Sequence, residues 1–451
     1  MDTLTTVLWF LVALCVLVAV HEYGHFYAAR RCGVKVLRFS IGFGHRLFKW
    51  TDKRGTEWAF SAIPLGGYVK MLDEREGEVA IEERHLSFNA AKPWQKIFIA
   101  FAGPLANIIL SVLLYWLLFA QGTVGIAPVI GTVEQGSVAY SAKLEPGQEI
   151  VAIDGHKVST QREVAMVLLG RLGESGKIRF SVRYQNSDLI YESEGRIDKW
   201  LQGEENPDPL KGLGLEFFYP PITREVTYVS PGSAAEEGGV KVRDIFISAD
   251  NVPLDSWETF RDYVSQRPGQ EIRFEVERDG ELVQLDIVPR EYKKPDGTVI
   301  GLVGVSPKVE DYPEGMVKKA SYSFTQSFIR AVEETQETSS FVLLSMKKLL
   351  VGEISIKNLS GPIGIAKVAG DSARSGAWTF LQFLAMISVY LGVLNLLPIP
   401  ILDGGHIIYG IVEWISGSPV SEKIQMIGNQ LGLAMVLCVM VIAFYNDILR
   451  L

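Results

Sequence analysis

The chain of 451 residues is poor in cysteine and histidine and has no long basic tract. Its three cysteines, Cys15, Cys32 and Cys438, form neither a disulfide framework nor a metal-binding spacing. A formal net charge of −8 argues against nucleic acid as a partner. No basic stretch precedes the first apolar run, so a cleavable signal peptide is not predicted. Hydrophobic residues make up 48% of the chain and the mean hydropathy is +0.17, which indicates a mixture of membrane-embedded and water-exposed parts.

Four runs are long and apolar enough to cross a bilayer. They are about Leu4–Ala29, Ile97–Phe119, Trp378–Leu397 and Ile427–Tyr445. Buried helices of a large soluble protein are the alternative. Lysine and arginine cluster just after the first run, so the segment between the first two runs is expected in the cytoplasm. Both chain ends and the large segment 122–377 are then expected on the periplasmic side.

The large segment contains an internal repeat. EQGSVAYSAKLEPGQEIVAIDG (134–155) matches SPGSAAEEGGVKVRDIFISADN (230–251), and KIRFSVRY (177–184) matches EIRFEVER (271–278). The period is too long for a solenoid, so the pattern predicts two small domains in tandem. They resemble the circularly permuted PDZ domains of bacterial proteases. Neither copy shows a clear Gly-Leu-Gly-Phe-like loop for binding a carboxylate.

Two further segments are assigned a structure by their patterns. Residues 34–70 alternate as strands do, which fits either an ordinary cytoplasmic hairpin or one that dips into the membrane. Residues 316–350 are predicted to be helical, and Glu333, Glu334 and Glu337 argue against a fifth span. That helix is expected to lie at the membrane surface or to clamp the core.

The end of the first apolar run carries the pattern H-E-x-x-H, His21-Glu22-Tyr23-Gly24-His25. Ionisable groups inside a membrane are costly and mark functional sites. Residues i and i+4 share a helix face, so both imidazoles can bind one Zn²⁺ while Glu22 activates a water. His21 lies ~26 Å along a helix that crosses a core of ~30 Å, near its cytoplasmic face. The alternative is that these polar residues only end the helix in the interfacial zone.

Two histidines and a water leave a zinc site one protein ligand short. Asp403, in NLLPIPILDGGH (395–406), follows the third apolar run and lies at a comparable depth if the chain stays in the membrane. Pro398 and Pro400 must break the helix there. The sequence Asp403-Gly404-Gly405 also fits a simple tight turn, and His406 is a rival ligand.

Together these residues resemble the site-2 protease family of intramembrane zinc metalloproteases. That family pairs H-E-x-x-H in its first core helix with N-x-x-P-x-P-x-x-D-G in a later one. The chain matches every defining position of both motifs, at His21–His25 and Asn395–Gly404. The resemblance implies that His21, His25 and Asp403 bind Zn²⁺ and that Glu22 is the general base. It also implies that Asn395 holds substrate or stabilises the oxyanion.

The same resemblance implies a membrane-re-entrant β-hairpin at 34–70 that pairs with substrate. Glycines would allow a close approach of the substrate backbone there, and they are Gly42, Gly44, Gly66 and Gly67. Gly103-Pro104 and Asn107 are expected to pack beside the site or line it. Ser360-Gly361-Pro362 is expected to enter the core.

The predicted fold is a polytopic α-helical membrane protein with four transmembrane helices, a membrane-associated β-hairpin and two α+β or β-rich PDZ-like periplasmic domains. The expected segments are a first membrane core at 1–121, PDZ-like domains at 122–220 and 221–310, a helical linker or clamp at 311–376 and a second membrane core at 377–451.

The resemblance implies zinc-dependent cleavage within the bacterial inner membrane, during regulated proteolysis in a stress response. The expected substrates are single-span membrane proteins such as an anti-sigma factor, together with remnant signal peptides. The PDZ-like domains are candidates to contact substrate or regulators and to exclude substrates with a bulky periplasmic domain. Two alternatives stay open: a peptide-binding membrane scaffold with a metal site, and a metal or ion transporter.

Overall fold

A computed structural model of the chain describes residues 3–75, 77–185, 187–294 and 297–450. Residues 1, 2 and 451, which fall within the predicted terminal segments, lie outside the described residues. The described α-helices, in chain order, are α1 (Thr3–Arg31), α2 (Pro93–Ala120), α3 (Val138–Ser141), α4 (Gln161–Leu169), α5 (Pro209–Leu213), α6 (Ala234–Glu237), α7 (Trp257–Ser265), α8 (Phe324–Leu350), α9 (Pro362–Arg374), α10 (Ala377–Asn395), α11 (Asp403–Ser416) and α12 (Glu422–Leu449).

Most of the β-structure lies between α2 and α8, and short 3₁₀-helices occur at Ile81–Leu86 and Ile356–Asn358. The described strands are β1 (Val36–Thr51), β2 (Glu57–Met71), β3 (Thr123–Ile126), β4 (Ile130–Val133), β5 (Gln148–Ile153), β6 (His156–Lys157), β7 (Gly176–Tyr184), β8 (Tyr191–Ile197), β9 (Leu215–Phe217), β10 (Ile222–Val229), β11 (Ile245–Ala249), β12 (Val252–Pro253), β13 (Ile272–Arg278), β14 (Glu281–Ile287), β15 (Arg290–Lys293), β16 (Val299–Leu302), β17 (Val305–Val309) and β18 (Val317–Ala320).

Four helices, α1, α2, α10 and α12, are long and apolar enough to span a membrane, as the sequence predicts. Only 11% of the most apolar window of α12 is buried in the protein, so most of its apolar surface faces outward, as it would towards lipid. α2 and α10 pack closely, since a Cβ added at Gly392 would lie 3.0 Å from the carbonyl oxygen of Pro104. The third span ends at Asn395, two residues before its predicted end, since the loop with Pro398 follows.

The end of α12 is fixed by a buried carboxylate. Asp447 accepts hydrogen bonds of 2.9, 2.9 and 3.0 Å from the backbone N–H groups of Gly361, Ile363 and Gly364. These N–H groups form the N-terminus of α9, where helical carbonyls do not reach them and where the helix dipole favours a negative charge. The segment Ser360-Gly361-Pro362 is therefore anchored to the last membrane helix.

β1 and β2 form a folded-over hairpin rather than a simple one. Residues 38–41 of β1 pair with 67–70 of β2 and also with 57–60, because β1 kinks after Ile41 and β2 bends with it. Gly42 and Gly44 adopt φ of +90° and +81° at that kink, a conformation that favours glycine. The inner half packs against Phe26 of α1, while the outer half exposes large apolar side chains.

The internal repeat corresponds to two modules with the same order of elements. One contains the sheet β6-β5-β7-β8 and the other the sheet β14-β13-β11-β10-β17, with β12 paired to β11. In each, a strand, a short paired strand, a helix (α4 or α7) and two long strands follow in turn. Alternate residues of β7 and β13 are fully buried and fill two separate cores: Ile178, Phe180 and Val182 in one, and Ile272, Phe274 and Val276 in the other.

Matched residues of the repeat perform the same local task. Ser137 and Ser233 both cap a short helix by accepting a backbone N–H. Asp154 and Asp250 have φ of +50° and +48° and accept the backbone N–H of Arg179 and Arg273, each at 2.9 Å. The repeat is therefore a repeat of structure as well as of sequence.

The segment 316–350 is helical only in part. Its first residues form β18, which pairs with β3 after the second membrane helix, so the expectation of helix there is wrong. The helix α8 begins at Phe324 and packs against α2 through Ala331 and Thr335, which are both buried. The helix therefore lies against one of the four apolar helices.

The other end of α8 is tied to the first module by Lys348. Its ammonium group lies 2.7 Å from the carbonyl oxygen of Leu172 and 2.7 Å from the Glu174 carboxylate, and its side chain is only 4% exposed. Burial raises the pKa of Glu174, but Lys348 and Arg171 outweigh it and hold that pKa below its usual value. The Glu174 carboxyl group is therefore charged at neutral pH.

We expect Lys348→Met to loosen the junction between α8 and the first module. Loss of the ammonium leaves the buried carbonyl of Leu172 without its partner and leaves Glu174 with Arg171 alone. The cost should be about 2 kcal/mol, reduced because Glu174 is partly exposed. Amide hydrogen exchange of residues 349–354 should then be faster by roughly 30-fold. The exposed neighbour Lys347→Met is the matched control. Equal exchange rates in the two variants would contradict the prediction.

Candidate functional site

Three polar side chains meet within the apolar helices. The Nε2 atoms of His21 and His25 are 3.2 Å apart, and they lie 3.1 and 3.4 Å from the two carboxylate oxygens of Asp403. The three side chains are only 11%, 12% and 18% exposed. The two histidines of the first motif thus lie beside Asp403, the one acidic residue of the second motif.

The spacing of these donors fits a zinc ion. Ligand atoms about 2.0–2.1 Å from a tetrahedral Zn²⁺ are about 3.3 Å from each other. The two Nε2 atoms are 3.2 Å apart, and each lies 3.1–3.4 Å from one oxygen of the Asp403 carboxylate. Two imidazole nitrogens at 3.2 Å, both aimed at one carboxylate, are also hard to explain as a hydrogen-bonded core. A shared cation satisfies all three groups at once.

The two histidines are held by α2, which lies very close to α1. His25 donates from Nδ1 to the carbonyl oxygen of Ile99 at 2.8 Å, which leaves Nε2 free to bind a metal. A Cβ at Gly103 would lie 2.3 Å from Nε2 of His25, and one at Gly24 would lie 2.2 Å from the carbonyl oxygen of Ala102. Only glycine fits at either position, so the metal ligands depend on a close contact between the helices.

Asp403 is placed by an irregular loop and the start of a helix. It is the first residue of α11, where the helix dipole stabilises a carboxylate. The loop before it contains Ile401 at φ +94°, an unusual conformation for a branched residue. A Cβ at Gly404 would lie 2.1 Å from the carbonyl oxygen of Leu397, so the loop folds tightly against the helix. A Cβ at Gly432 of α12 would lie 1.8 Å from the carbonyl oxygen of Pro400, so the last membrane helix supports the loop.

Two other residues of the second motif lie outside the ligand triangle. Asn395 is the half-buried last residue of α10. His406 is on the exposed side of α11, with its ring edge-on to Tyr409, and it does not join the three donors. Of the two candidates, Asp403 is the one whose carboxylate oxygens lie within 3.4 Å of both histidine nitrogens.

Glu22 does not belong to the triangle and faces the hairpin instead. Its carboxyl group accepts a backbone hydrogen bond from Val69 of β2. A Cβ at Gly67 would lie 3.1 Å from Cγ of Glu22 and 2.8 Å from Val18. Of the four predicted substrate-binding glycines, Gly67 therefore touches α1, whereas Gly42, Gly44 and Gly66 contact only other parts of the hairpin.

Neither repeat shows a clear Gly-Leu-Gly-Phe-like loop in its sequence, but each module ends in a glycine turn. Gly214 and Gly304 have φ of +70° and +83°, and each packs against the capping serine of its own module. The signal was Gly-Leu-Gly-Leu at 212–215. This turn comes last in the permuted order, so it lies outside the segments in which the two repeats match. In the second module a groove of about 600 Å³ lies between α7 and residues 300–305.

The chain is similar to known proteins over nearly its whole length. The sequence profile of Peptidase family M50 matches residues 9–439. The regulator of sigma-E protease of Escherichia coli is 40% identical over 442 residues, or 98% of both chains. The corresponding protease of Haemophilus influenzae is 39% identical over 442 residues, again 98% of both chains. A Vibrio cholerae protein provisionally named a zinc metalloprotease is 38% identical over 99% of this chain and 100% of its own.

One solved structure is also similar in part, the PDZ domain of an SdrC-like protein from Listeria monocytogenes. It covers 20% of this chain and 92% of its own at 18% identity, with a TM-score of 0.17, which is too low to assign a fold. The matches to full-length proteases, by contrast, cover nearly the whole of both chains at 38–40% identity. With its two motifs, its four apolar helices and its similarity to these proteases from end to end, the chain belongs to peptidase family M50, the site-2 proteases.

Proposed function

We propose that the protein is an intramembrane zinc endopeptidase that cuts the membrane-spanning segments of single-span proteins. The observation that carries this proposal is the cluster of His21, His25 and Asp403, in which two imidazole nitrogens 3.2 Å apart both face one carboxylate. Its relatives of similar length include regulators of sigma-E protease. The proposed substrates are accordingly an anti-sigma factor and remnant signal peptides.

The roles of the residues follow from their positions. His21, His25 and Asp403 hold the zinc ion, which supplies Lewis acidity and makes a water nucleophilic at neutral pH. Glu22 is not one of the three metal-binding residues, so its carboxylate can take the proton of the attacking water. It then passes that proton to the amide nitrogen that leaves. Asn395, at the end of α10, is proposed to hold the substrate or stabilise the oxyanion.

A helical substrate must unwind before it can be cut, because its own hydrogen bonds shield its peptide bonds. An added strand along β2 would satisfy the exposed backbone of the unwound segment. In the described part of the chain, residues 67–69 pair along one side only, with residues 39–41 of β1. Glu22 touches this part of β2 through Val69, so a substrate strand there would lie beside the general base.

The outer half of the hairpin is proposed to enter the membrane. Six of its large apolar side chains are 43–71% exposed, which is unfavourable in water and favourable in lipid. They are Phe43, Leu47, Phe48, Trp50, Phe60 and Ile63.

The two modules are proposed to be PDZ-like domains on the periplasmic side of the bacterial inner membrane. The order of their elements and their glycine turns support the first part, and the basic residues that follow α1 support the second. Both chain ends would then be periplasmic. The groove beside α7 is the proposed contact for substrate or regulators, and the pair of modules would exclude substrates with a large periplasmic domain.

We expect Glu22→Gln to abolish cleavage while zinc binding is retained. The variant keeps all three ligands but loses the proton acceptor, so the rate should fall by roughly 10²–10⁴-fold. The assay uses the protein in detergent with a single-span substrate that lacks its periplasmic domain, and zinc is measured separately. The exposed neighbour Tyr23→Phe is the control. If the wild type holds zinc but cuts no substrate tested, a metal-binding scaffold is the better description.

We expect Asp403→Ala to lose zinc and His406→Ala to keep it. Removal of one of three protein ligands should weaken zinc binding by more than the roughly 10–100-fold cost of losing an outer partner. His406 is the matched control because it is the rival ligand on the same helix. The zinc affinity of both variants is measured by competition with a chelator. Loss of zinc in His406→Ala alone would reverse the assignment.

We expect Gly67→Ala to reduce cleavage without loss of zinc. The added methyl group would lie 2.8 Å from the carbonyl oxygen of Ser40 and 3.1 Å from Glu22, so β2 must move away from the general base. Cleavage should fall by about 10-fold or more, since small displacements of a base are costly. Gly77→Ala is the control, because nothing lies within 4 Å of its added carbon. Full activity of Gly67→Ala would show that β2 does not position Glu22.

A further inference from the structure

Asn107 of α2 is completely buried and is fixed at both its backbone and its side chain. Its carbonyl oxygen accepts a hydrogen bond of 2.7 Å from the hydroxyl group of Ser388 on α10. Its side-chain amide faces α1, where Nδ2 lies 3.2 Å from Nδ1 of His21. One residue thus joins three membrane helices at the depth of the metal ligands.

The side-chain oxygen of Asn107 is unusual for a buried polar atom. Oδ1 is buried and has no hydrogen-bond partner. The oxygen and nitrogen of an amide are assigned from their surroundings, so a half-turn of the group must be considered. Rotation exchanges which atom is unpaired, and the count of hydrogen bonds therefore does not choose between the two orientations.

Metal chemistry does choose between them. His21 can offer a lone pair at Nε2 only if its proton is on Nδ1, and a protonated Nδ1 needs an acceptor. Nδ2 of Asn107 is a donor and cannot accept it, whereas Oδ1 can. The same pattern already exists at His25, whose Nδ1 donates to the carbonyl oxygen of Ile99 at 2.8 Å.

We infer that Asn107 is a positioning residue for the metal site: rotated by a half-turn, its Oδ1 accepts the Nδ1 proton of His21 and so fixes the tautomer and plane of that ring. This inference rests on the proposed zinc site. It makes α2 the source of both orienting acceptors, a backbone carbonyl for His25 and a side-chain amide for His21.

The register of the two helices supports this role. Gly103 lies against the ring of His25 and Asn107 against the ring of His21, so residues four apart on α2 meet residues four apart on α1. Each imidazole therefore has one α2 residue that sets its position. The H-E-x-x-H motif alone would leave both rings free to turn.

The test compares Asn107→Leu with Asn107→Asp in the full-length protein in detergent. Leucine has nearly the same shape as asparagine but cannot accept a proton, whereas aspartate accepts it well. We expect zinc affinity, measured by chelator competition, to fall by roughly 10–100-fold in Asn107→Leu and to change by less than about threefold in Asn107→Asp. The visible spectrum of the cobalt-loaded protein should change in the leucine variant only.

Ser111→Ala is the matched control, since Ser111 is also fully buried and lies one turn further along α2, where it contacts Thr335. Its zinc affinity should equal that of the wild type. If Asn107→Leu does not fold, Asn107→Ala takes its place, with the same expected loss.

Two results would overturn the inference. Equal zinc affinity in the leucine variant and the wild type would show that His21 needs no acceptor from Asn107. An equal loss in the leucine and aspartate variants would point to packing alone. Both differ from failure of the proposed function, in which the wild type itself binds no zinc or cuts no substrate.

Discussion

The site depends on the close contact between α1 and α2. Metal ligands in an apolar helix bundle are stable only if their second nitrogens are satisfied and their rings cannot turn. Gly24 and Gly103 have no side chain to hold the two helices apart, so α2 contacts both imidazoles. Without that approach the two histidines would be polar groups in an apolar setting, with a cost and no function.

The proposed third ligand comes from the far end of the chain and is positioned in a different way. A helix would carry Asp403 past the site, and an irregular segment in a membrane leaves backbone groups unpaired. The chain ends α10 at Asn395, crosses a short loop and begins α11 at Asp403 itself. Gly404 and Gly432 let the carbonyl oxygens of this loop pack against α11 and α12. The turn at Asp403 and the proposed metal ligand are therefore one feature rather than competing explanations.

Much of this organisation follows from the sequence, for identifiable reasons. A helix places His21 and His25 on one face whatever surrounds it, and four apolar runs can satisfy their backbones only as helices in lipid. The repeat can be recognised in the sequence because Asp154 and Asp250 each occupy a turn position that few other residue types can adopt. Contacts between distant segments are not encoded in this local way. The pairing of β18 with β3, the doubled pairing of residues 38–41 and the contact of Asn107 with His21 each depend on the assembled fold.

The proposed general base is held by a different element from the proposed metal ligands, and this separation has a consequence. His21, His25 and Asp403 are positioned by α2 and the loop before α11, whereas Glu22 is touched by β2. A strand that pairs with β2 would therefore press on the element that holds the base and leave the ligands undisturbed. In such an arrangement the metal site is complete before the substrate arrives, and the position of the proton acceptor responds to the presence of an extended substrate. Hydrolysis would then be favoured for an unwound segment over the intact helices that surround the site in the membrane.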